Sequence, residues 1–399
     1  MTATTMSVTD TRAAATPGLE KVAVALLFGF VASLQVSIAA ADILLSAMLV
    51  CWVAMLVADR RWPAAPAFFI PLAAYGAMTL ISSLFSSDRM TSLIDSKQLV
   101  LLAIVPAVYE IARGKRAATV IDVIVSVGAA SAAFGIIQYG LLHYDNLGQR
   151  PLGTMSHYMT YSGLLMLVIC TAVARLVFGS RNRIWPALVM PALVVALSLT
   201  LSRNAWIGAC VAVGLLFVLK DFRLAALLPV ILAVVVVVAP EGLVNRFTQT
   251  FDAQDPSNLD RFAMIEIGAK MVRDHPLVGV GPNMVPRLYE QYRPDYAINK
   301  VNPHLHNVPL QIAAERGLPA LAIWIWLIGG LTVGLFRLFR RQQDKILAAT
   351  ALAAVVAMLA AGLFEYNFGD SEFLMLFLVL VTLPFAAARS DGATASDPA

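Results

Sequence analysis

The chain is a succession of apolar stretches, each long enough to cross a lipid bilayer. A helix needs roughly 17 to 25 apolar residues to do so, and the sequence holds about twelve such stretches. A charged fraction of only 14% and a mean hydropathy of +0.76 also lie outside the usual range for soluble domains. We therefore predict an all-α polytopic membrane protein. The predicted spans are 20–37, 39–58, 65–85, 93–112, 118–141, 157–178, 184–201, 204–220, 222–239, 318–338, 346–364 and 371–388.

Basic residues are unevenly distributed among the connections between these spans. With the N-terminus inside, groups of Lys and Arg fall in the cytoplasmic connections and few fall in the outer loops, a bias that sets membrane orientation. We therefore predict that both termini are cytoplasmic. The net charge of +4 then reflects topology, and no basic cluster suggests nucleic acid. The cytoplasmic set is Arg60, Arg61, Arg113, Lys115, Arg116, Arg181, Arg183, Lys220, Arg223, Arg337, Arg340, Arg341 and Lys345, and the outer set is Arg89, Lys97, Arg150 and Arg203.

One long polar segment, residues 240–317, interrupts the apolar pattern between the ninth and tenth spans. Three of the five histidines lie in it. We predict that it is a helical periplasmic loop, with helices at 258–273, around 284–292 and from about 307 to Gly317, a left-handed cap. The predicted parts are a disordered cytoplasmic tail at 1–19, spans 1–9 at 20–239, the loop with the active site at 240–317, spans 10–12 at 318–388 and a cytoplasmic tail at 389–399.

The first of these helices is indicated by residue spacing. Phe262, Ile265 and Val272 recur at helical intervals, and His275-Pro276 gives a natural stop. Asn258 is the candidate N-cap.

Two histidines precede the third predicted helix. His306 would lie where a helix dipole resists formation of an imidazolium, so it could accept a proton from a hydroxyl or bind phosphate. His304 would orient it or simply pack. The alternative for His306 is a capping or surface role.

Three arginines are candidates for binding an anion. Arg203 lies in a turn between two apolar spans, where arginine is costly and usually has a partner, although it could also extend to the lipid headgroups. Arg261 opens the first predicted helix of the polar segment, where a solvated face is the alternative. Arg150 is a weaker candidate. Guanidinium groups bind phosphate oxygens in pairs, so this set suits a diphosphate.

The sequence gives no sign of a metal or a cofactor. It contains no Asp-x-Asp pair and no nucleotide-binding or zinc-protease motif. We interpret the nearest acidic run, Asp370-Ser371-Glu372, as a solvated loop. A metal-free site in which arginines neutralise a diphosphate leaving group is the simpler hypothesis.

The order of several motifs resembles the O-antigen ligase and polymerase superfamily. The ligase pattern has His, then Asn, Ser or Gln, nine residues and Gly-x-x-Gly. His306, Asn307 and Gly317 fit it, and Ala320 replaces the last glycine. The other motifs are Gly153-Thr154-Met155, Ser202-Arg203, Arg261, the run from Asp274 to Asn283, His304-Leu305-His306-Asn307 and Glu315-Arg316-Gly317.

The resemblance implies a GT-C-like fold and a metal-independent inverting glycosyltransferase. It would transfer O-antigen from undecaprenyl diphosphate to the lipid A core oligosaccharide, at the periplasmic face of the bacterial inner membrane. His306 would be the general base, and Arg203 and Arg261 would bind the diphosphate. Arg150, His304 and Asn307 would line the same pocket.

Other functions remain open at this stage. An O-antigen polymerase would use the same donor with a second lipid-linked glycan as acceptor. A protein-directed oligosaccharyltransferase of the superfamily is expected to be longer. A transporter is expected to show charges within its spans and repeated halves, whereas this sequence has few charges in mid-span and no internal repeat.

Overall fold

The computed structural model describes residues 17–389 except 181–182, 239–240, 250–251 and 253. This part of the chain is helical and contains no strand. Nearly all of both predicted tails, and Arg181, lie outside the described residues.

A helix falls in each of the twelve predicted spans. Six are long and apolar enough to cross a membrane by length and composition: Ile38–Ala58, Arg89–Ile111, Lys115–Leu141, Tyr158–Phe178, Arg203–Lys220 and Val308–Arg341. Four shorter helices are also apolar: Phe69–Phe85, Ile184–Leu199, Ile346–Gly362 and Ser371–Ala387. The protein is therefore a multi-pass membrane protein, while the count of twelve spans stays a prediction.

The helices are numbered in chain order. Short 3-10 helices at Ser96–Ala103, Phe222–Ala226 and Asn367–Gly369 precede α5, α10 and α16. The helices are α1 Pro17–Ser33, α2 Ile38–Ala58, α3 Phe69–Phe85, α4 Arg89–Asp95, α5 Ile104–Ile111, α6 Lys115–Leu141, α7 Tyr158–Phe178, α8 Ile184–Leu199, α9 Arg203–Lys220, α10 Leu227–Val238, α11 Glu241–Thr248, α12 Pro256–Asp274, α13 Val285–Tyr292, α14 Val308–Arg341, α15 Ile346–Gly362 and α16 Ser371–Ala387.

Three helices form the centre of the bundle. α7, α15 and α16 are buried around most of their circumference, and α15 packs against both of the others and against α9. Peripheral helices such as α2 instead leave apolar side chains exposed, as lipid requires. The first residues of α7 and α9 and the last of α15 frame the region described below.

The polar segment has a small core of its own. Met264, Ile267 and Met271 of α12 pack with residues of α13 and with Leu305. The predicted helix is confirmed, but the buried side was not predicted, since Phe262 and Ile265 are 54% and 51% exposed.

The start of α12 also differs from the prediction. The cap is Asp255, whose side chain accepts a hydrogen bond from the Ser257 amide, and Asn258 lies inside the helix. Pro256 explains the shift, because its fixed φ and missing donor suit the first helical position.

A break at Gly317 divides α14 into two parts, as the sequence predicted. Gly317 has φ 85° and ψ 168°, so the helix stops and restarts there. The loop that follows α12 wraps the break, with hydrogen bonds from Val280 N to Ala314 O (2.9 Å) and from Leu318 N to Pro276 O (2.8 Å). The glycine is required, because a Cβ would overlap the backbone of Leu277.

Gly317→Ala should therefore destabilise the fold. This φ/ψ region is almost restricted to glycine, and holding another residue there costs about 1 to 3 kcal/mol. The expected result is a lower midpoint of thermal unfolding in detergent. Gly330→Ala is the matched control, because Gly330 lies in the same helix with open space around it. Equal midpoints for the two variants would contradict the proposed constraint.

Candidate active site

The three arginines singled out in the sequence lie around one cavity of about 400 Å³. Arg203 begins α9, Arg261 belongs to the first turns of α12, and Arg150 comes from the loop before α7. A fourth, Arg246 of α11, lines the same cavity and was missed by the sequence analysis.

Two of these guanidinium groups retain unused donors. Arg203 is only 6% exposed; its Nη2 donates to Asp255 Oδ1 at 3.1 Å, and its buried Nη1 has no protein partner among the described residues. Arg261 donates from Nη1 to Ser257 Oγ at 3.0 Å, and its buried Nε likewise has none there. The structure therefore shows neither of the alternative interpretations, a headgroup contact for Arg203 or a solvated face for Arg261.

Arg150 is held in place by its surroundings. Its guanidinium lies 4.1 Å from the centre of the Tyr158 ring, and its Nε donates to Leu147 O at 3.0 Å. The preceding helix α6 fixes the same loop, because Gln138 accepts from the amides of Leu152 and Gly153.

The cavity is strongly electropositive. Burial and then the charge of Arg203 lower the pKa of Arg261, and the same two causes together with Arg150 lower the pKa of Arg246 to about 10. Asp255 is the one carboxylate among the described residues that line the cavity. Four like charges around one carboxylate suit an anion with more than one negative charge.

A second cluster joins the two histidines to Glu365, in the connection between α15 and α16. His306 Nδ1 lies 2.8 Å from Glu365 Oε2, and His304 Nε2 lies 3.3 Å from Oε1. The imidazole rings are 4.2 Å apart at an angle of 67°. Sequence reasoning missed Glu365, although an acidic residue beside an apolar span can mark a functional site as an arginine can.

The protonation of this cluster follows from its charges. Burial opposes ionisation of Glu365, but His306 and His304 outweigh it and lower the pKa of the carboxyl to about 2. Burial lowers the pKa of His304 to about 4, so this ring is neutral at pH 7. An ionised carboxylate can only accept, so Nδ1 of His306 donates to Glu365, and in the neutral tautomer compatible with that bond the lone pair is on Nε2.

The backbone also orients His306. Its φ of 48° is left-handed, which is uncommon for a non-glycine residue. The next residue, Asn307, caps α14 by accepting from Leu310 N at 2.9 Å, and its Nδ2 donates to Leu363 O at 3.1 Å. His306 thus precedes the helix, as predicted. Asn307 does not line the arginine cavity and instead ties two segments together.

The arginine cavity and the histidine cluster meet near the start of α7. His157 caps this helix, and its ring lies 4.4 Å from that of Tyr158, on which Arg150 rests. The charge of Glu365 acts on both His157 and Arg261, so the two clusters are electrostatic neighbours.

The interpretation of Asp370-Ser371-Glu372 as a solvated loop was wrong for Asp370. This side chain caps α16 by accepting from Phe373 N at 2.9 Å, and its other oxygen accepts from the Thr160 hydroxyl. It therefore connects the starts of α16 and α7.

The histidine cluster also has the composition of a cation site. One ligand atom each from His304, His306 and Glu365 lie within 4.8 Å of one another. A metal would have to replace the proton that His306 shares with Glu365 at hydrogen-bond distance. The expected absence of a metal is therefore a matter for experiment.

Comparison with known proteins supports the resemblance seen in the motifs. Residues 188–325, about a third of the 399-residue chain, match the family described as O-antigen ligase. This confirms the resemblance to the O-antigen ligase family. The match includes Arg203, Arg261, His304 and His306 but not Arg150 or Glu365. A search among curated proteins found no match.

The cavity should bind inorganic pyrophosphate. A hydrogen bond to a charged group contributes about 1.5 to 3 kcal/mol, so Arg261→Gln should weaken binding about 10- to 100-fold in calorimetric titration of the purified protein. Arg287→Gln is the matched control, since Arg287 is exposed on α13 and pairs with Asp88. Equal weakening by both variants would indicate attraction by net charge alone.

Proposed function

We propose that this protein is an O-antigen ligase. It transfers O-antigen polysaccharide from undecaprenyl diphosphate to the lipid A core oligosaccharide, at the periplasmic face of the bacterial inner membrane. The observation that carries the proposal is the cavity lined by four arginines beside the His306–Glu365 pair. The match to the O-antigen ligase family supports the same class of reaction.

The arginine cavity binds the diphosphate of the donor. Arg203 and Arg261 each direct an unused N–H into a buried environment, where hydrogen bonds to phosphate oxygens are strong. As the glycosidic bond breaks, negative charge increases on the leaving diphosphate. Arginines already held in place stabilise that charge without rearrangement. Arg246 and Arg150 strengthen the field.

His306 acts on the acceptor. Its Nε2 takes the proton of a core-sugar hydroxyl while that oxygen attacks the anomeric carbon of the donor, and the bond to the diphosphate breaks. Attack from the face opposite the diphosphate inverts the configuration. Glu365 keeps the proton on Nδ1 and stabilises the imidazolium that forms. No nucleotide is needed, because the donor is already activated.

The membrane brings both substrates to the depth of the arginine cavity. The isoprenoid chain of the donor remains in the bilayer while its diphosphate reaches the first residue of α9. With both termini in the cytoplasm, the polar segment and the starts of α7, α9 and α16 face the periplasm.

The test is the lipopolysaccharide pattern of a deletion strain complemented with each variant. His306→Asn removes the imidazole, and Asn tolerates the left-handed backbone, so the protein should insert normally. The expected result is core without O-antigen and glycan accumulating on undecaprenyl diphosphate. His275→Asn is the control, because His275 is an exposed residue at the end of α12.

Other band patterns distinguish the alternatives. Core bearing a single repeat unit in the deletion strain would indicate a polymerase that uses the same donor. A normal pattern in the deletion strain would exclude this pathway altogether. Normal activity of His306→Asn would remove the general base from the proposal.

Chelation distinguishes a cluster that shares a proton from a site that binds a metal. If Glu365 and His306 share a proton, excess EDTA should leave the rate of glycan transfer by the purified protein within about twofold of the untreated rate, since there is no bound metal to remove. A loss of transfer that Zn²⁺ or another divalent ion restores would contradict the metal-independent mechanism.

A further inference from the structure

The motif Glu315-Arg316-Gly317 has no part in the proposed chemistry, yet it contains two buried charges. Arg316 is 6% exposed and Glu315 is 2% exposed. Nη1 of Arg316 donates to Glu315 Oε2 at 2.9 Å and to the hydroxyl oxygen of Tyr366 at 3.3 Å. A buried ion pair is weak evidence of added stability, so we ask what the second contact of Arg316, to Tyr366, does.

Tyr366 is the residue that follows Glu365. Its amide donates to Glu365 Oε1 at 3.0 Å, and the centre of its ring is 6.0 Å from that of His304. The ring fills the space beside Gly369, where a Cβ would collide with it. The backbone of Tyr366 therefore holds one oxygen of the Glu365 carboxylate, while its ring is held beside Gly369 and His304.

The first part of α14 provides a fixed reference for these contacts. It begins at Val308, two residues after His306, and ends at Arg316, and most of its residues are buried. At its beginning, Asn307 donates to Leu363 O, and Gln311 accepts from Leu305 N at 2.6 Å. At its end, Arg316 holds Tyr366.

We infer that the Arg316–Tyr366 and Asn307–Leu363 contacts position the carboxylate of Glu365 against the imidazole of His306. Arg316 and Tyr366 are positioning residues, because they act through Glu365. The inference rests on the proposed function insofar as it concerns the rate of glycan transfer.

The position of the Glu365 carboxylate matters because its hydrogen bond with His306 is directional. The hydrogen bond from Nδ1 weakens as the carboxylate turns away, and the ring can then rotate or change tautomer. Misplacement of a catalytic group by about 1 Å can cost about 100-fold in rate. Donor binding belongs to the arginine cavity, whose lining includes neither Arg316 nor Tyr366.

The test is Tyr366→Phe, which removes only the oxygen that Arg316 contacts. We expect kcat for transfer to fall about 10- to 100-fold while KM for the lipid-linked donor stays within about twofold. Tyr109→Phe is the matched control, because the Tyr109 ring also packs under an arginine, Arg389, at the other end of the bundle.

A second measurement does not depend on catalysis. The chain has only five histidines, so ¹⁵N-histidine spectra of the protein in detergent can be assigned with His306→Asn as reference. Tyr366→Phe should shift the imidazole signals of His306, whereas Tyr109→Phe should not. Unchanged kcat together with unchanged His306 signals would overturn the inference. If wild-type protein transferred no glycan, the proposed function would fail, and the spectra would still decide the positioning role.

Asn307→Ser covers the case in which Tyr366→Phe does not fold. Serine keeps an acceptor for the helix cap but lacks the amide donor to Leu363 O. The same fall in kcat and the same change in the His306 signals are expected, and the absence of both would overturn the inference.

Discussion

The left-handed break at Gly317 is the constraint on which the candidate site depends. It lets one chain segment serve both as the buried start of α14 in the polar segment and as a membrane helix beyond it. The loop at Val280 and Gly281 pairs with the carbonyls of Ala314 and Glu315 inside the polar segment. Contacts with the bundle come from the hydroxyls of Ser82 and Ser92, which donate to Glu315 O and Pro282 O. The position of His306, which precedes α14, depends on these contacts.

Two buried charge clusters of opposite design lie beside each other. The arginine cavity keeps excess positive charge, as the lowered pKa values of Arg246 and Arg261 indicate. The histidine cluster instead centres on an ionised carboxylate, Glu365. A diphosphate would neutralise the first without disturbing the second. In the proposed reaction, this arrangement would separate binding of the leaving group from transfer of the acceptor's proton.

The sequence predicted elements whose cause is local. Apolar length placed a helix in each predicted span, and a glycine after a helical run located the break at Gly317. The cost of a charge near lipid identified Arg203. Tertiary packing decided the rest: Phe262 and Ile265 turn outward because the core of the polar segment packs against another side of α12. The roles of Glu365 and Arg246 can be recognised only in the structure, because they depend on residues that are distant in the sequence.

The long separation of Glu365 and His306 along the sequence has a consequence for folding. Glu365 belongs to the connection between α15 and α16, whereas His306 belongs to the polar segment. A buried carboxylate without its partners is strongly unfavourable, so the helices around Glu365 are fully stable only when the polar segment has docked. Docking in turn brings Arg261 to Arg203 at the start of α9. The arginine cavity and the His306–Glu365 pair are therefore completed by the same association, and neither segment holds an assembled site by itself.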